Sequence, residues 1–209
     1  MQRRPSLVAV AAGLGLSACV PTLNMTDQRV DLETPQGTIG VAVNVRAAPL
    51  SACNFLRYAD AGDYDGGSVF RTVIRETNTA SPHPIDVIQA ATPRGSDDDA
   101  HAPIPLERTR DTGLRHVAGA VSLARDGPDT ATSSFFIVTR DTPDLDYGGG
   151  RNPDGQGFAV FGRVVHGLDV ARRIQHLPAD GDELLTPPVP ITRARLHYPL
   201  PVRCRGNPW

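Results

Sequence analysis

The sequence predicts a mainly β fold, an antiparallel barrel or sandwich whose helices cap the strands instead of alternating with them. Three observations carry this. Eight short runs rich in strand-forming residues are separated by segments rich in Gly, Pro, Asn and Asp. Only two stretches place apolar residues at helical spacing. No internal repeat or linker divides the 209 residues, a length that accommodates one domain with extensions.

Taken in order, the amino end is a targeting segment. It has a basic start (Arg3, Arg4), an apolar stretch over 7–16 and small residues before Cys19. That is secretory leader architecture, and the apolar stretch is short for a bilayer span. Leu16-Ser17-Ala18-Cys19 resembles the bacterial lipobox, which implies removal of residues 1–18 and lipidation of Cys19. Val20 after the cysteine implies sorting to the outer membrane, with the chain facing the periplasm. Residues 19–28 then read as the lipidated cysteine and a tether, 29–198 as the folded body and 199–209 as a tail.

Within the body, strand-like runs over 29–34 and 38–45 flank Pro35-Gln36-Gly37, a turn signal. Residues 48–61 carry Ala52, Phe55, Leu56 and Ala59 on one helical face, with Gly62 as a stop. Strands follow over 68–75, 85–91, 118–124, 133–139 and 158–165. A second helix covers 168–176 and ends at Leu177-Pro178. The last strand is expected over 190–198, with Ile191, Ala194 and Leu196 as its apolar members. The loop over 92–106 holds a solvated acidic run, Asp97-Asp98-Asp99. The loop over 141–157 is rich in Asp, Gly, Asn and Pro but lacks the ligand spacing of a calcium loop.

Composition narrows the chemistry. Apolar content of 40% and charged content of 21% are those of a globular protein. Net charge is −2 and no basic patch is gathered, which argues against nucleic acid as a partner. All 21 basic residues are arginine, so lysine Schiff-base chemistry is excluded. The six histidines are scattered, with no paired metal-ligand spacing, and no metal is expected. No GxSxG elbow, phosphate loop or GxGxxG is present, and no motif places Ser, His and Asp together. No cofactor is expected. After Cys19, Cys53 and Cys204 remain. In an oxidising compartment they either form one disulfide or stay as a buried helical thiol and a tail thiol.

One charge stands out. In GGSVFRTVIRE, residues 66–76, strict alternation places Arg71 on the face of Val69 and Val73. The surrounding motifs explain it. Tyr64-Asp65-Gly66-Gly67-Ser68-Val69-Phe70-Arg71 resembles the cyclophilin segment that ends in Phe-His-Arg. Gly127-Pro128-Asp129-Thr130-Ala131-Thr132-Ser133-Ser134-Phe135-Phe136-Ile137 is similar to that family's Gly-Pro-x-Thr-x-x-Ser-x-Phe-Phe-Ile. Phe161-Gly162-Arg163-Val164-Val165-His166-Gly167-Leu168-Asp169-Val170 is similar to its Phe-Gly-x-Val-x-x-Gly-Met-x-Val. The resemblance spans about 38–177 in family order.

The resemblance implies a closed eight-stranded antiparallel barrel capped by two α-helices, and peptidyl-prolyl cis-trans isomerase (rotamase) activity. It implies Arg71 and Gln89 as catalytic residues. It implies a substrate-binding set of Phe136, Leu145, Phe158, Val87, Ala124 and Arg125. Expected partners are proline-containing segments of unfolded or folding exported proteins, bound by a monomer. The chain departs from the family pattern at Val69-Phe70, at Asp86-Val87 where Phe-Met is usual, at Ser134, at Phe158 in place of the pocket histidine, and at Asp144 where some members carry tryptophan. These departures keep open a second reading, a weakly active or inactive peptide-binding module of the cell envelope.

Overall fold

The computed structural model describes residues 28–95, 100–181 and 183–206. The expected leader, Cys19, most of the tether and the acidic run at 97–99 lie outside the described residues. Two antiparallel strands open the body, β1 (Gln28–Thr34) and β2 (Gly37–Val43), joined by the anticipated turn. Helix α1 (Pro49–Asp60) follows, then β3 (Ser68–Val73) and β4 (Val87–Ala91). A single turn of helix, α2 (Thr109–Thr112), precedes β5 (Ala120–Leu123) and β6 (Phe135–Val138). Next come β7 (Ala159–His166) and helix α3 (Leu168–Gln175). The last strands are β8 (Leu184–Pro190) and β9 (Arg193–Leu196).

Nine strands form one curled sheet in the order β8-β3-β4-β6-β5-β7-β2-β1-β9. This corrects the expected closed eight-stranded barrel: the sheet is open, and the extra strand is β8. Residues 184–190 read LLTPPVP, and proline has no N–H to donate, so the stretch carries no strand signal. As an edge strand it needs to bond only on the side of β3, which is where such prolines are tolerated. The peptide bond Thr186–Pro187 is cis. The edges β8 and β9 share no ladder. They are linked covalently through residues 191–192, where Ile191 exchanges hydrogen bonds with Gly66 and Gly67, and the Thr192 N–H donates to the Glu33 carbonyl. The expected final strand over 190–198 therefore shortens to β9.

The core lies inside the curl. It draws buried side chains from all nine strands, with Phe55 and Leu56 from α1 and Val170 and Ile174 from α3. At its centre Phe55 meets Tyr64, Phe135 and Phe161 with ring centroids 5.0–5.4 Å apart. Aromatic pairs of this geometry add about 0.5–1.5 kcal/mol beyond the area they bury. The start of α1 is capped from a distance. Glu107 accepts hydrogen bonds from the backbone N–H groups of Leu50 (3.0 Å) and Ser51 (2.7 Å), and from the Ser51 hydroxyl (2.7 Å). A carboxylate there satisfies orphan donors and meets the positive end of the helix dipole. Cys53 of α1 is bonded to Cys204, 151 residues away in the chain. No helix among the described residues is long and apolar enough to cross a membrane.

A second, smaller apolar cluster covers part of the outer face: Val73, Ile85, Val87, Phe136, Leu145 and Val160 among others. The Phe135-Phe136 pair splits between the two clusters, as strand alternation requires.

Candidate functional site

Strict alternation fails at β3, and that failure builds the site. Val69 pairs with Ala90 and Arg71 with Gln89, so Phe70 is an extra residue on β3, a bulge. Val69 points into the core and Val73 into the outer cluster. Arg71 therefore shares the face of Val73 but not that of Val69, correcting the expectation that it shares both. The bulge brings both Phe70 and Arg71 to one cavity on the outer face.

That cavity measures about 380 Å³. It brings together Arg71, Gln89, Phe136, Leu145, Phe158, Val87, Ala124 and Arg125, every residue that the resemblance placed at the catalytic and substrate-binding positions. Its floor is apolar: Phe136 and Leu145 are buried, and the Phe158 ring stands edge-on to Phe136 at 5.4 Å. Gly157 (φ +67) sets Phe158 in place, since a Cβ there would strike the backbone of Asp146 and Tyr147. The Phe158 N–H then donates to the Leu145 carbonyl at 3.0 Å.

Polar groups meet at one margin. Arg71 Nη1 donates to Gln89 Oε1 at 3.3 Å, and Gln89 Nε2 donates to the Ser134 hydroxyl at 3.0 Å. Ser134 thus orients Gln89 from the position where the family carries a glutamine. Arg71 Nη2 donates to Glu183 Oε2 at 2.5 Å, and Asn78 Nδ2 donates to Glu183 Oε1 at 2.6 Å. Glu183 has φ +66, uncommon for a residue of its type, and precedes Leu184, which pairs with Arg71 across the β3–β8 ladder. No sequence motif marked Glu183, because it immediately precedes the unrecognised edge strand. Of the five donors of a guanidinium, two are engaged here among the described residues.

Arg125 is used differently from Arg71. Its side chain is 1% exposed, donates to the Gly157 carbonyl (2.9 and 2.6 Å) and to Asp154 (2.8 and 3.0 Å), and lies 5.1 Å from the Phe158 ring centroid. The hydrogen bonds from Arg125 hold the Asp154 carboxyl below its ordinary range. Arg125 therefore braces the cavity wall, and what it can offer a peptide is backbone. Two of the departures from the family pattern resolve away from the cavity. Asp86, expected on the wall beside Val87, turns from it and binds Arg75: one carboxylate oxygen accepts from the Arg75 N–H at 3.0 Å and the other lies 3.2 Å from Nε. Asp144 pairs with His83, Nδ1 to Oδ1 at 2.9 Å.

Beneath Phe136 lies a buried relay that no motif announced. The His116 ring stacks on Phe136 (centroids 5.8 Å, planes 13° apart). Its Nδ1 is 2.7 Å from Asp146 Oδ1 and its Nε2 is 3.0 Å from the Ser122 hydroxyl. The carboxylate can only accept, so Nδ1 carries the proton and Nε2 accepts from Ser122. Burial pushes the His116 pKa down despite the pull of Asp146. Burial raises Asp146, but the hydrogen bond from His116 and the nearby Arg115 charge outweigh this and hold it low. Ser, His and Asp are thus brought together after all. Ser122 has no exposed surface, so no substrate reaches it and the group serves packing. Among the described residues no group of three or more His, Cys, Asp or Glu is arranged to hold a metal.

Known proteins resemble this chain in sequence and in fold. Residues 29–196 match the family described as cyclophilin type peptidyl-prolyl cis-trans isomerase/CLD. The chain is 34% identical over 176 residues to peptidyl-prolyl cis-trans isomerase A of Dickeya dadantii, covering 83% of this chain and 85% of that one. It is 37% identical over 149 residues to peptidyl-prolyl cis-trans isomerase cyp18 of Streptomyces antibioticus, covering 70% and 82%. A crystal structure of a cyclophilin type peptidyl-prolyl cis-trans isomerase from Cryptosporidium parvum superposes with TM-score 0.66 at 19% identity, covering 82% of this chain and 98% of that one. That last likeness bears on the fold.

Proposed function

The chain belongs to the cyclophilin-type peptidyl-prolyl cis-trans isomerases, and from that premise we propose that it turns X–Pro bonds of exported proteins at the outer-face cavity. Amide resonance sets a rotational barrier of about 18–20 kcal/mol, and uncatalysed exchange takes tens to hundreds of seconds. Rotation breaks no covalent bond, so the chain needs only to hold the proline, exclude water and favour the twisted amide. A five-decade acceleration corresponds to about 7 kcal/mol of preference for the twisted state. Phe136, Leu145 and Phe158 offer the apolar seat. Arg71 supplies fixed N–H donors at its rim, oriented by Gln89, to the prolyl segment as resonance is lost. The residue before the proline runs along the Ala124–Arg125 backbone.

The observation that carries this reading is the meeting of the Arg71 guanidinium and Gln89 with that apolar floor in one cavity. The test is a protease-free isomerisation assay on the purified chain and its Arg71→Ala variant. Acceleration by the first and its loss in the second are expected. An unaltered rate in the variant would remove Arg71 from the mechanism.

A second reading is favoured by one contact. Glu183 already neutralises Arg71, which suits a module that binds proline-containing peptide with little turnover. Peptide binding without acceleration would select it. The leader and lipobox support export, with attachment through lipid on Cys19 and residence in the periplasm at the outer membrane. The bond between Cys53 and Cys204 suits an oxidising compartment. Incorporation of labelled fatty acid, abolished by Cys19→Ala, is the expected result.

A further inference from the structure

Three arginines line the cavity, and they are not equivalent. Arg71 is neutralised by Glu183 and Arg125 by Asp154. Arg151 makes no such ion pair among the described residues. Its Nη1 donates to the Asn78 side-chain oxygen (3.1 Å), the Ser81 hydroxyl (2.8 Å) and the His83 carbonyl (3.2 Å), all of them neutral. Its Nε and Nη2 make no hydrogen bond among the described residues, and no carboxylate among them lies within ion-pair distance of it. The nearby Glu183 has one oxygen on Arg71 and the other on Asn78. Arg151 is half-buried, and burial together with the adjacent Arg71 charge outweighs the attraction of Glu183 and presses its pKa below the ordinary arginine value. A cation so placed, with one edge of its fork unused, is suited to accept a carboxylate.

Position decides which part of a peptide it meets. The groups that hold Arg151 come from residues 78–83, between β3 and β4, so it stands on the margin of the cavity shared with Arg71. Ala124 and Arg125 lie beyond the end of β5, which is separated from β4 by β6, on the opposite margin. There the exposed Asp126 disfavours an acidic side chain. A peptide that enters along Ala124–Arg125 and seats its proline on Phe136 leaves towards Arg71 and Arg151.

We propose that Arg151 selects substrates carrying a carboxylate within two residues on the carboxyl-terminal side of the proline. This rests on the reading of the cavity as the seat of a prolyl peptide, and its test separates the two. Matched peptides differing only as Pro-Glu against Pro-Gln are compared on the full chain, by titration for Kd and by exchange spectroscopy for turnover. A charge-assisted pair at a half-buried site predicts an advantage of about tenfold for Pro-Glu at low salt. The advantage shrinks at high salt, is lost in Arg151→Gln and is kept in part by Arg151→Lys. A glutamate placed before the proline gains nothing. Equal Kd and equal turnover for the two peptides on the unaltered chain overturn the inference while leaving an isomerase standing. The same advantage surviving in a folded Arg151→Gln variant overturns it too. A tenfold preference in Kd without acceleration upholds it and selects the binding module instead. Failure to bind either peptide overturns both.

Discussion

Arg71 owes its reach to a single extra residue. Without the bulge at Phe70, regular alternation from Val69 would turn Arg71 towards the opposite face. Loss of a preorganised donor at a reacting amide costs about 10²–10³ in rate. Arg71→Ala should therefore lower kcat/KM by about that factor with circular dichroism unaltered, and Gln89→Ala should lower it less. His116 makes a prediction about stability. The unfolded chain takes up a proton on this residue near pH 6.5, whereas the buried ring resists it. The unfolded state then binds more protons, so stability falls as pH drops through about 6.5. Urea midpoints measured between about pH 6.5 and 5 should show this slope, and His116→Gln should flatten it. Arg71 and Phe136 were legible in the sequence because they sit in motifs of fixed spacing, and Gln89 and Leu145 followed from the resemblance those motifs carry. Glu183, Ser134 as the orienting hydroxyl, and Arg151 were not. Their roles arise from contacts across 112, 45 and 73 positions of the chain, which no local pattern encodes.

Among the elements, α1 shows both what patterning reveals and what it conceals. The spacing of Ala52, Phe55, Leu56 and Ala59 announced the helix and its buried face. Its cap was invisible, because Ala48 offers no side-chain hydrogen bond and the carboxylate comes from Glu107. Glu107→Ala should destabilise the fold by about 1–2 kcal/mol, read as a shift of the denaturant midpoint at unchanged slope. Strand β8 is the converse case. Its composition reads as loop, yet Val189 and Leu185 enter the core and the strand brings Glu183 to Arg71. Propensity failed there because an edge strand has one bonded side and tolerates proline on it. The expected ring of eight strands failed for the same reason. The prolines of β8 leave few donors for a ladder to β9, and the chain bridges the two edges through residues 191–192 instead.

At the scale of the molecule, the curled sheet holds a core on its concave side and a peptide-sized cavity on its outer face, and Phe135 and Phe136 divide between them. The amino-terminal half of α1 is tied to Glu107, and Cys53 within it to Cys204. In the chain-entropy picture a bond closing a loop of this length stabilises by about 5 kcal/mol. Reduction with dithiothreitol should therefore lower Tm by on the order of 10 °C. The same bond also decides how the chain meets a protease. A single backbone scission anywhere between positions 53 and 204 leaves the two fragments on one covalent skeleton. Nicked chains should migrate as one band without reductant and as two with it.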